Sequence, residues 1–248
     1  MYTNPRYDTI LDYLKRNKRA TVAQLSSLVY VSEATMRRDL RDMQRLGLLK
    51  RVHGGAIYSE ATDEVAIAVR QNVNIQEKEE TAFIAISALP EYETLFVDNS
   101  STCLALVRRM NLTHKVVVTN GFRIASALLE NDQVRIIMPG GELRKNTDFA
   151  GSMTSAALRD FHFDLMLCSC AAISPEGAYE TSLAVKDLKR TAMELSERCV
   201  LLADRTKFQA TAPYRTAGLR NFDRIFTNAD DGLLLPYRQA GLPVFNRP

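Results

Sequence analysis

The sequence has little of what is typical of disordered, membrane-spanning or secreted proteins. Its 248 residues include only 11 glycines and 8 prolines, which argues against disorder over most of the chain. Its apolar runs are short: the run at 165–173 has nine residues, whereas a membrane-spanning helix needs about 20. The first ten residues also lack the apolar core of a secretory signal. We therefore expect a cytoplasmic protein with one large and one small domain.

Residues that bind metals are scarce as well. The chain has four cysteines and three histidines, and the histidines are scattered. Cys168 and Cys170 form a C-x-C pair, but no second pair of Cys or His follows at the spacing of a zinc site. Three of the cysteines lie in apolar runs, which favours buried free thiols. We predict neither a metal nor a cofactor.

The net charge of +3 conceals an asymmetry between the two parts of the chain. Residues 1–58 carry eleven Lys or Arg and five Asp or Glu, whereas the remainder carries 21 basic and 24 acidic residues. A basic head on a mildly acidic body indicates a polyanionic partner for the head. On this observation alone, a chance excess of solvated charge is the alternative.

Residue spacing predicts three helices in the head. The first has an apolar stripe at i, i+3, i+4 and i+7, formed by Tyr7, Ile10, Leu11 and Leu14. Thr21 and Gln24 form a capping box that opens the second helix, and Ser32 can cap the third. The third helix has Met36, Leu40 and Met43 on one face and Arg37, Arg38, Arg41 and Arg45 on the other. Two short helices around a tight turn, the second basic on its outer face, describe a helix-turn-helix.

A hairpin is predicted directly after the third helix. Gly47 ends that helix, and residues 48–58 form two short β-prone stretches around His53-Gly54-Gly55. A basic hairpin in this place is a wing, which lies along the phosphate backbone or reaches into the minor groove. The alternative for the arginines is an ordinary solvated helix face.

Strands and helices alternate through the rest of the chain, after a linker at 59–75. Strands are predicted at 94–98, 116–119, 134–138, 164–169, 199–203 and 224–227. Helices fill the gaps, at about 77–88, 101–110, 121–130, 151–160, 183–196 and 231–240. This alternation predicts an α/β domain over 76–248, with a mostly parallel sheet covered on both faces. The head, 1–58, is predicted as a small α+β domain.

Polar residues collect where four of these strands end. They are the segments 98–102 (DNSST), 119–121 (TNG), 139–141 (PGG) and 204–208 (DRTKF). Hydroxyls and N–H groups at a helix N-terminus suit a phosphate, although ordinary N-capping by Ser100 or Ser101 explains them equally well. Ligands bind outside the carboxyl ends of parallel strands, so four polar clusters there predict one binding site.

The ordered pattern over residues 21–56 resembles the DNA-binding head of the DeoR family of bacterial transcription regulators. The matching positions are Val31-Ser32-Glu33, Thr35, Arg37-Arg38-Asp39-Leu40, Leu46-Gly47, Arg51 and His53-Gly54-Gly55-Ala56. Tyr30 departs from the pattern, because family members more often carry a small or polar residue in this turn. Segments 98–102, 119–120, 139–146, 176–180 and 204–208 resemble the effector domain of the same family, which is related to ribose-5-phosphate isomerase.

The resemblance implies a sequence-specific DNA-binding regulator of sugar metabolism genes, a repressor by family habit, that responds to a phosphorylated sugar. Residues from Glu33 to Arg38 are expected to face base edges in the major groove. The full set expected at the DNA is Ser32, Glu33, Thr35, Arg37, Arg38, Arg41, Arg45, Lys50, Arg51, His53 and Gly54. Asp39 is expected to be an internal ion-pair partner. Two heads on repeated half-sites imply a homodimer or a higher even oligomer.

The implied effector site has a phosphate end and a sugar end. Ser100, Ser101 and Thr102 surround the phosphate, and Lys207 and Lys186 supply positive charge. The residues expected to face the sugar are Asp98, Asn120, Gly140, Gly141, Asp204 and Lys207. A sugar-phosphate isomerase is the main alternative, but residues 170–173, where the isomerase has acidic residues, contain none. A structural adaptor without a ligand is a third possibility.

Overall fold

The computed structural model describes residues 5–45, 48–58, 73–144 and 147–248, apart from the side chains of Pro5, Asp8, Lys15 and Arg45. The chain divides into two compact units, Met1–Asn72 and Val73–Pro248. Of the predicted linker, 59–72 lie outside the described residues, as do Leu46, Gly47, Lys145 and Asn146. Within the described part, none of the helices has the length and hydropathy needed to cross a bilayer.

The described part of the first unit contains three helices and a small sheet. The helices are α1 (Pro5–Asn17), α2 (Val22–Leu28) and α3 (Glu33–Arg45). The strands are β1 (Arg19–Thr21), β2 (Lys50–Val52) and β3 (Gly55–Ile57), and they form an antiparallel sheet in the order β1-β3-β2. Most of the predicted inward residues are buried in a common core: Ile10, Leu14, Val22, Leu25, Met36, Leu40 and Met43. Tyr7 and Leu11 pack against it and are partly buried. The winged helix-turn-helix architecture is confirmed.

Side-chain caps fix where α2 and α3 begin. The Gln24 N–H donates to Thr21 Oγ1 at 3.2 Å, and the Thr21 N–H donates to Gln24 Oε1 at 2.9 Å. This is the reciprocal capping box predicted from the sequence. In the same way, the Thr35 N–H donates to Ser32 Oγ at 3.2 Å. These bonds satisfy N–H groups that have no partner within their own helix.

The turn between α2 and α3 closes on a left-handed residue. The Val31 N–H donates to the Ser26 carbonyl at 3.0 Å, and the Val29 N–H donates to the Leu25 carbonyl at 3.2 Å. Tyr30 lies between them with φ of 55°. The bond from Val31 to Ser26 around a left-handed residue is the 6→1 bond of a Schellman motif, which usually has glycine or asparagine at the left-handed position. The predicted tight turn is therefore present, with a tyrosine where a smaller residue is the rule.

The second unit is built on a seven-stranded parallel sheet with the order β15-β14-β12-β9-β4-β5-β6. Its strands are β4 (Thr94–Val97), β5 (Val116–Thr119), β6 (Arg135–Ile137), β9 (Phe163–Ser169), β12 (Ser196–Leu202), β14 (Arg224–Phe226) and β15 (Val244–Phe245). Its helices are α4 (Ile75–Ile86), α5 (Ser101–Val107), α6 (Phe122–Leu128), α7 (Ser152–Leu158), α8 (Leu183–Glu194) and α9 (Asp231–Gln239). The six predicted strands and the six predicted helices are all confirmed.

Smaller antiparallel elements follow the carboxyl ends of the main strands. They are the hairpin β7 (Leu143–Arg144) and β8 (Asp148–Phe149), and a sheet of β10 (Ala172–Ser174), β11 (Gly177–Glu180) and β13 (Tyr214–Ala217). A 3-10 turn, Arg205–Gln209, follows β12, and a second one, Leu219–Asn221, precedes β14. The sequence analysis missed these strands and β15, because elements of two to four residues show too little alternation to be recognised.

Both faces of the main sheet are covered by apolar residues. Phe96 and Met166 point into one core cluster, and Leu95 and Leu165 point into the other. All four cysteines are buried free thiols, as predicted. Burial raises the pKa of Cys170 and of Cys199 to about 12, so both thiols stay protonated at neutral pH.

Candidate DNA interface and candidate effector site

The outward face of α3 carries exposed arginines in the first unit. Arg37, Arg38 and Arg41 are exposed on the side of the helix opposite its buried residues. Arg37 Nη2 lies 2.7 Å from Glu33 Oε2, and both side chains are about half exposed. Exposed pairs of this kind contribute little stability, so Arg37 can exchange Glu33 for a base or a phosphate. The side chain of Arg45 lies outside the described residues.

Asp39 is turned away from this face, because it anchors α3 to α1. Its side chain is only 7% exposed, and its Oδ2 accepts a hydrogen bond from Arg6 Nε at 3.1 Å. The prediction of an internal ion pair is confirmed. On the outer side, the hydroxyls of Ser32 and Thr35 lie 2.9 Å apart at the start of the helix.

The wing is held against α3 and turns on two glycines. The Arg51 N–H donates to Gln44 Oε1 at 2.8 Å, which ties β2 to the end of α3. Gly54 has φ of 75° at the tip, and a Cβ on Gly55 would lie 2.1 Å from the Ala20 carbonyl oxygen. Both positions therefore require glycine, and the exposed tip presents His53 beside them.

Arg19 extends the basic surface of the wing and was missed from the sequence. Arg19 and Lys50 both pair with Ile57, from its two sides, so the three side chains share one face of the sheet. Arg19 also lines a groove of about 560 Å³ together with His53. The first helix was predicted from Tyr7, Ile10, Leu11 and Leu14, and Arg19 was assigned to no strand. That helix ends at Asn17, and the strand that follows brings Arg19 beside the wing.

In the second unit, four adjacent strands end in polar residues at one edge of the sheet. Strands β5, β4, β9 and β12 are neighbours in that order, and all run parallel. The residues that follow or end them include Asn120, Asp98, Ser169 and Asp204, each at most 3% exposed. Three strand spacings of about 4.8 Å separate the outer two, a span of about 14 Å. Three of these strand ends, those of β4, β5 and β12, are among the four predicted from the sequence; the fourth predicted strand was β6, next to β5, and the end of β9 was not predicted.

A buried lysine that the sequence analysis did not select occupies the centre of this edge. Lys189 Nζ lies 2.7 Å from Asp98 Oδ2 and 2.5 Å from Glu180 Oε1, and it donates to the Ser169 carbonyl at 2.6 Å. Burial disfavours the charge on Lys189, but the two carboxylates outweigh it and raise the pKa of this lysine well above its usual value. The cluster is held ionised by its own internal pairing.

Asp98 is buried, and its carboxylate pairs with groups of the protein itself. Besides the lysine, it accepts hydrogen bonds from the Ser100 N–H at 2.9 Å and from the Ser169 N–H at 3.0 Å. Burial opposes its ionisation, but Lys189 and these bonds prevail and lower the pKa of Asp98. The sequence expectation that Asp98 faces the sugar needs this correction: both of its carboxylate oxygens already have partners.

The two lysines expected near the phosphate lie in different surroundings. Lys186 pairs with the neighbouring Asp187, one turn of α8 before the lysine that binds Asp98. Lys186 and Lys189 are three positions apart, and sequence spacing alone did not show which of them lies against Asp98. Lys207 is half-buried on the 3-10 turn after β12. Its charge opposes the burial that raises the pKa of Cys170, so it lies close to that strand end.

The hydroxyls after β4 are partly used by the fold. Ser100 Oγ accepts a hydrogen bond from the Cys103 N–H at 3.1 Å and so caps α5, the structural alternative considered for this residue. Thr102 Oγ1 accepts from Ser169 Oγ at 3.4 Å. Ser101, at the first position of α5, is 6% exposed.

The backbone conformation after β6 explains why residues 140 and 141 are glycines. Their φ angles are 74° and 112°, in the region that favours glycine. A Cβ on Gly141 would lie 2.4 Å from Thr154 Oγ1, and that hydroxyl donates to the Gly140 carbonyl at 2.9 Å. The segment after β6 therefore needs both glycines whether or not a ligand approaches it.

Three buried polar atoms at this edge have no hydrogen-bond partner among the described residues. They are Asn99 Nδ2, Asn120 Oδ1 and Asp204 Oδ2. Asn120 is fixed by its other amide atom, because Nδ2 donates to the Phe149 carbonyl at 2.9 Å. Asp204 Oδ1 is likewise held by the Thr206 N–H at 3.1 Å. A buried polar group without a partner costs about 1–3 kcal/mol, so a polar ligand that paired this donor and these two acceptors would remove that cost.

Both units match known protein families. Residues 6–62 match the model of the DeoR-like helix-turn-helix domain, and residues 73–229 match that of the DeoR C terminal sensor domain. The chain is 32% identical to the L-fucose operon activator of Haemophilus influenzae, over 91% of this chain and 92% of that protein. It is 27% identical to the glycerol-3-phosphate regulon repressor of Escherichia coli, over 92% of each.

A further relative is the transcriptional repressor CsqR of Escherichia coli, which is 29% identical over 91% of this chain and 87% of its own length. Among solved structures, ribose-5-phosphate isomerase A of Methanocaldococcus jannaschii is similar over 54% of this chain and 55% of its own. The TM-score is 0.39 and the identity 11%, values too low to carry over any chemistry.

Proposed function

Because this chain belongs to the DeoR family of transcription regulators, we propose that it represses genes of sugar metabolism until a phosphorylated sugar binds its second unit. The helix-turn-helix binds DNA, and the sensor domain binds an effector. Relatives are named as repressors in some cases and as an activator in another. We choose repression because it is the more frequent role among the relatives quoted above.

At the DNA, we propose two kinds of contact. Side chains near the start of α3, among them Glu33, Arg37 and Arg38, read base edges, since this end of the helix enters the major groove. The remaining cations contact phosphates and position the protein: Arg41, Arg45, Lys50, Arg51 and Arg19. His53 and Gly54 at the wing tip lie along the backbone. Phosphate contacts make the affinity depend on salt.

For the effector, the unpartnered atoms of Asn99, Asn120 and Asp204 carry the proposal. Hydroxyl groups both donate and accept hydrogen bonds, so one polyol satisfies an amide donor, an amide oxygen and a carboxylate together. The outer strands β5 and β12 lie about 14 Å apart in the sheet, so a ligand that reaches both of their ends must be elongated, as a sugar with a phosphate attached is. An apolar ligand would leave all three atoms unpaired, which the site would disfavour.

The phosphate end is proposed near Ser101 and Thr102, with Lys207 as its charge partner. Lys207 is the better candidate than Lys186, because Lys186 already has Asp187 beside it. A charge-assisted bond to the phosphate would make the phosphorylated sugar bind far more tightly than the free sugar.

An isomerase activity is not supported. The relatives reported above are named as transcription regulators. Proton transfer between carbons needs carboxylates or another acid–base pair at the reacting atoms, and residues 170–173, where the isomerase has acidic residues, contain none. Asp98 and Glu180 are both paired to Lys189, so neither is free for that role.

We also propose that the protein acts in the cytoplasm as a homodimer or a higher even oligomer. A single winged head covers little DNA, and paired heads on repeated half-sites give the affinity that regulators need. Light scattering at micromolar concentration, with and without DNA, tests this part. A monomer under both conditions would contradict it.

A thermal-shift screen of sugar phosphates, free sugars and sugar acids tests the effector proposal. A ligand that binds the native state raises the melting temperature by mass action. We expect a sugar phosphate to do so, and its free sugar to do so far less. In the double variant Ser101→Ala with Lys207→Ala, the shift should disappear while DNA binding without ligand stays intact. An equal shift in the double variant would show that the effector binds elsewhere.

A further inference from the structure

Tyr30 combines backbone strain with nearly complete exposure. Its φ of 55° lies in the left-handed region, and its side chain is 95% exposed. The position is the one that a Schellman turn usually gives to glycine or asparagine. At 95% exposure the ring packs against almost nothing in its own unit, so neither packing nor turn geometry accounts for a tyrosine here.

The place of this residue in the fold points to a partner. Tyr30 lies two residues before Ser32, which caps the N-terminal end of α3. That end of the helix enters the major groove, so the residues just before it lie beside a phosphate strand. The exposed side chains that follow on α3 include the cations Arg37 and Arg38, which favour a polyanion over an apolar protein surface.

We propose that the hydroxyl of Tyr30 donates a hydrogen bond to the sugar–phosphate backbone of DNA, beside the groove that α3 enters. The inference rests on the DNA-binding function of the head. Tyrosine is among the side chains that commonly contact phosphate and sugar oxygens. Such a contact positions the helix without reading sequence, so Tyr30 contributes to affinity and not to the choice of operator.

Binding of the full chain to two labelled duplexes tests the proposal. One duplex is selected from a random library by repeated binding, and the other is an unrelated sequence of equal length. Tyr30→Phe removes only the hydroxyl, so it should weaken binding to both duplexes by about 2- to 10-fold, the range of one hydrogen bond. The salt dependence should not change, because a neutral phenol releases no counterion. Tyr214→Phe, at a partly exposed tyrosine of the second unit, is the matched control and should bind as wild type.

A second variant separates the contact from the strain. Tyr30→Gly relieves the left-handed turn, so its melting temperature should be no lower than that of wild type, yet its DNA affinity should fall at least as far as that of Tyr30→Phe. His114 has φ of 62° and is exposed in the second unit. His114→Gly therefore makes the same backbone change away from the head, and it should leave DNA affinity unchanged.

The outcomes are distinguishable. If wild type binds neither duplex, the DNA-binding function itself fails and this inference fails with it. If wild type binds but Tyr30→Phe and Tyr30→Gly bind equally well, only the inference is overturned. If the variants weaken DNA binding because they dissociate the protein in sedimentation experiments without DNA, the ring contacts a second copy and the proposed DNA contact is wrong.

Discussion

Replacing Lys189 by methionine should destabilise the second unit more than replacing Lys186 or Lys207. The substitution leaves Asp98 and Glu180 as two buried carboxylates, 2% and 7% exposed, without the ammonium that lies 2.7 and 2.5 Å from them. Removing one partner of a buried ion pair costs about 3–5 kcal/mol. For a domain of this size, each kcal/mol corresponds to about 2–4 °C, so the melting temperature should fall by about 6–20 °C.

The loss should also depend on pH, with a sign fixed by the pairing. In wild type the pKa of Asp98 is lowered, so its contribution to stability is present above the unfolded pKa and is lost as the pH falls through the lower folded pKa. Without Lys189, the effect of burial on Asp98 is no longer outweighed, so the pKa of this carboxyl rises and acidification protonates it. The difference in free energy of unfolding between variant and wild type should therefore be largest near pH 7.5 and shrink towards pH 5.

Chemical unfolding of both proteins at several pH values, followed by circular dichroism, measures this difference. Lys186→Met is the matched control, because that lysine lies on the same helix and pairs only with an exposed neighbour, Asp187, among the described residues. It should cost less than about 1 kcal/mol at every pH. Should Lys189→Met prove too unstable to purify, Glu180→Gln keeps one ion pair and should show a smaller loss. A Lys189→Met loss equal to that of the control, or constant with pH, would refute the reasoning.

Three further predictions concern the head. Gly55→Ala should destabilise the head strongly, because the new Cβ would lie 2.1 Å from a backbone oxygen. Gly54→Ala places its Cβ within 4 Å of no atom and should cost only the strain of the positive φ. Thermal unfolding of the two variants compares these losses. Lys50→Ala should weaken binding to specific and random DNA about equally and flatten the salt dependence, as measured by fluorescence anisotropy. Arg37→Ala or Arg38→Ala should each cost about 1–3 kcal/mol on the operator and less on random DNA if that side chain reads a base. Unchanged operator binding in the double alanine variant, with its circular dichroism intact, would overturn this placement.

The elements that the sequence predicted are those with a strong local signal. The helices α2 and α3 begin at caps made by Thr21 and Ser32, and side-chain spacing alone gives those caps. The strands of the parallel sheet are continuous apolar runs, which the chain needs because both faces of the sheet are covered. For these elements, local preference and tertiary burial agree.

The features that sequence reasoning missed depend on tertiary pairing. Strand β1 has three residues and is formed because β3 pairs with it, and this pairing makes Arg19 part of the wing. Lys186 and Lys189 lie on the same helix, and only the packing of α8 on the sheet decides which one meets Asp98. The same packing turned Asp98 from an expected ligand contact into a structural anchor. A buried atom without a hydrogen-bond partner, such as Asp204 Oδ2, can be recognised only from the three-dimensional structure.

The central claim is that a sugar phosphate bound in the second unit changes the affinity of the head for DNA. The most direct measurement is a titration of the operator-bound protein with the sugar phosphate that gives the largest thermal shift, with its free sugar as the control. We predict that the phosphate weakens operator binding by about 5- to 150-fold, the usual range for coupled sites, and that the free sugar has little effect at the same concentration. Operator affinity that stays constant while the phosphate saturates the protein would contradict the account, because a bound ligand would then have no influence on DNA binding.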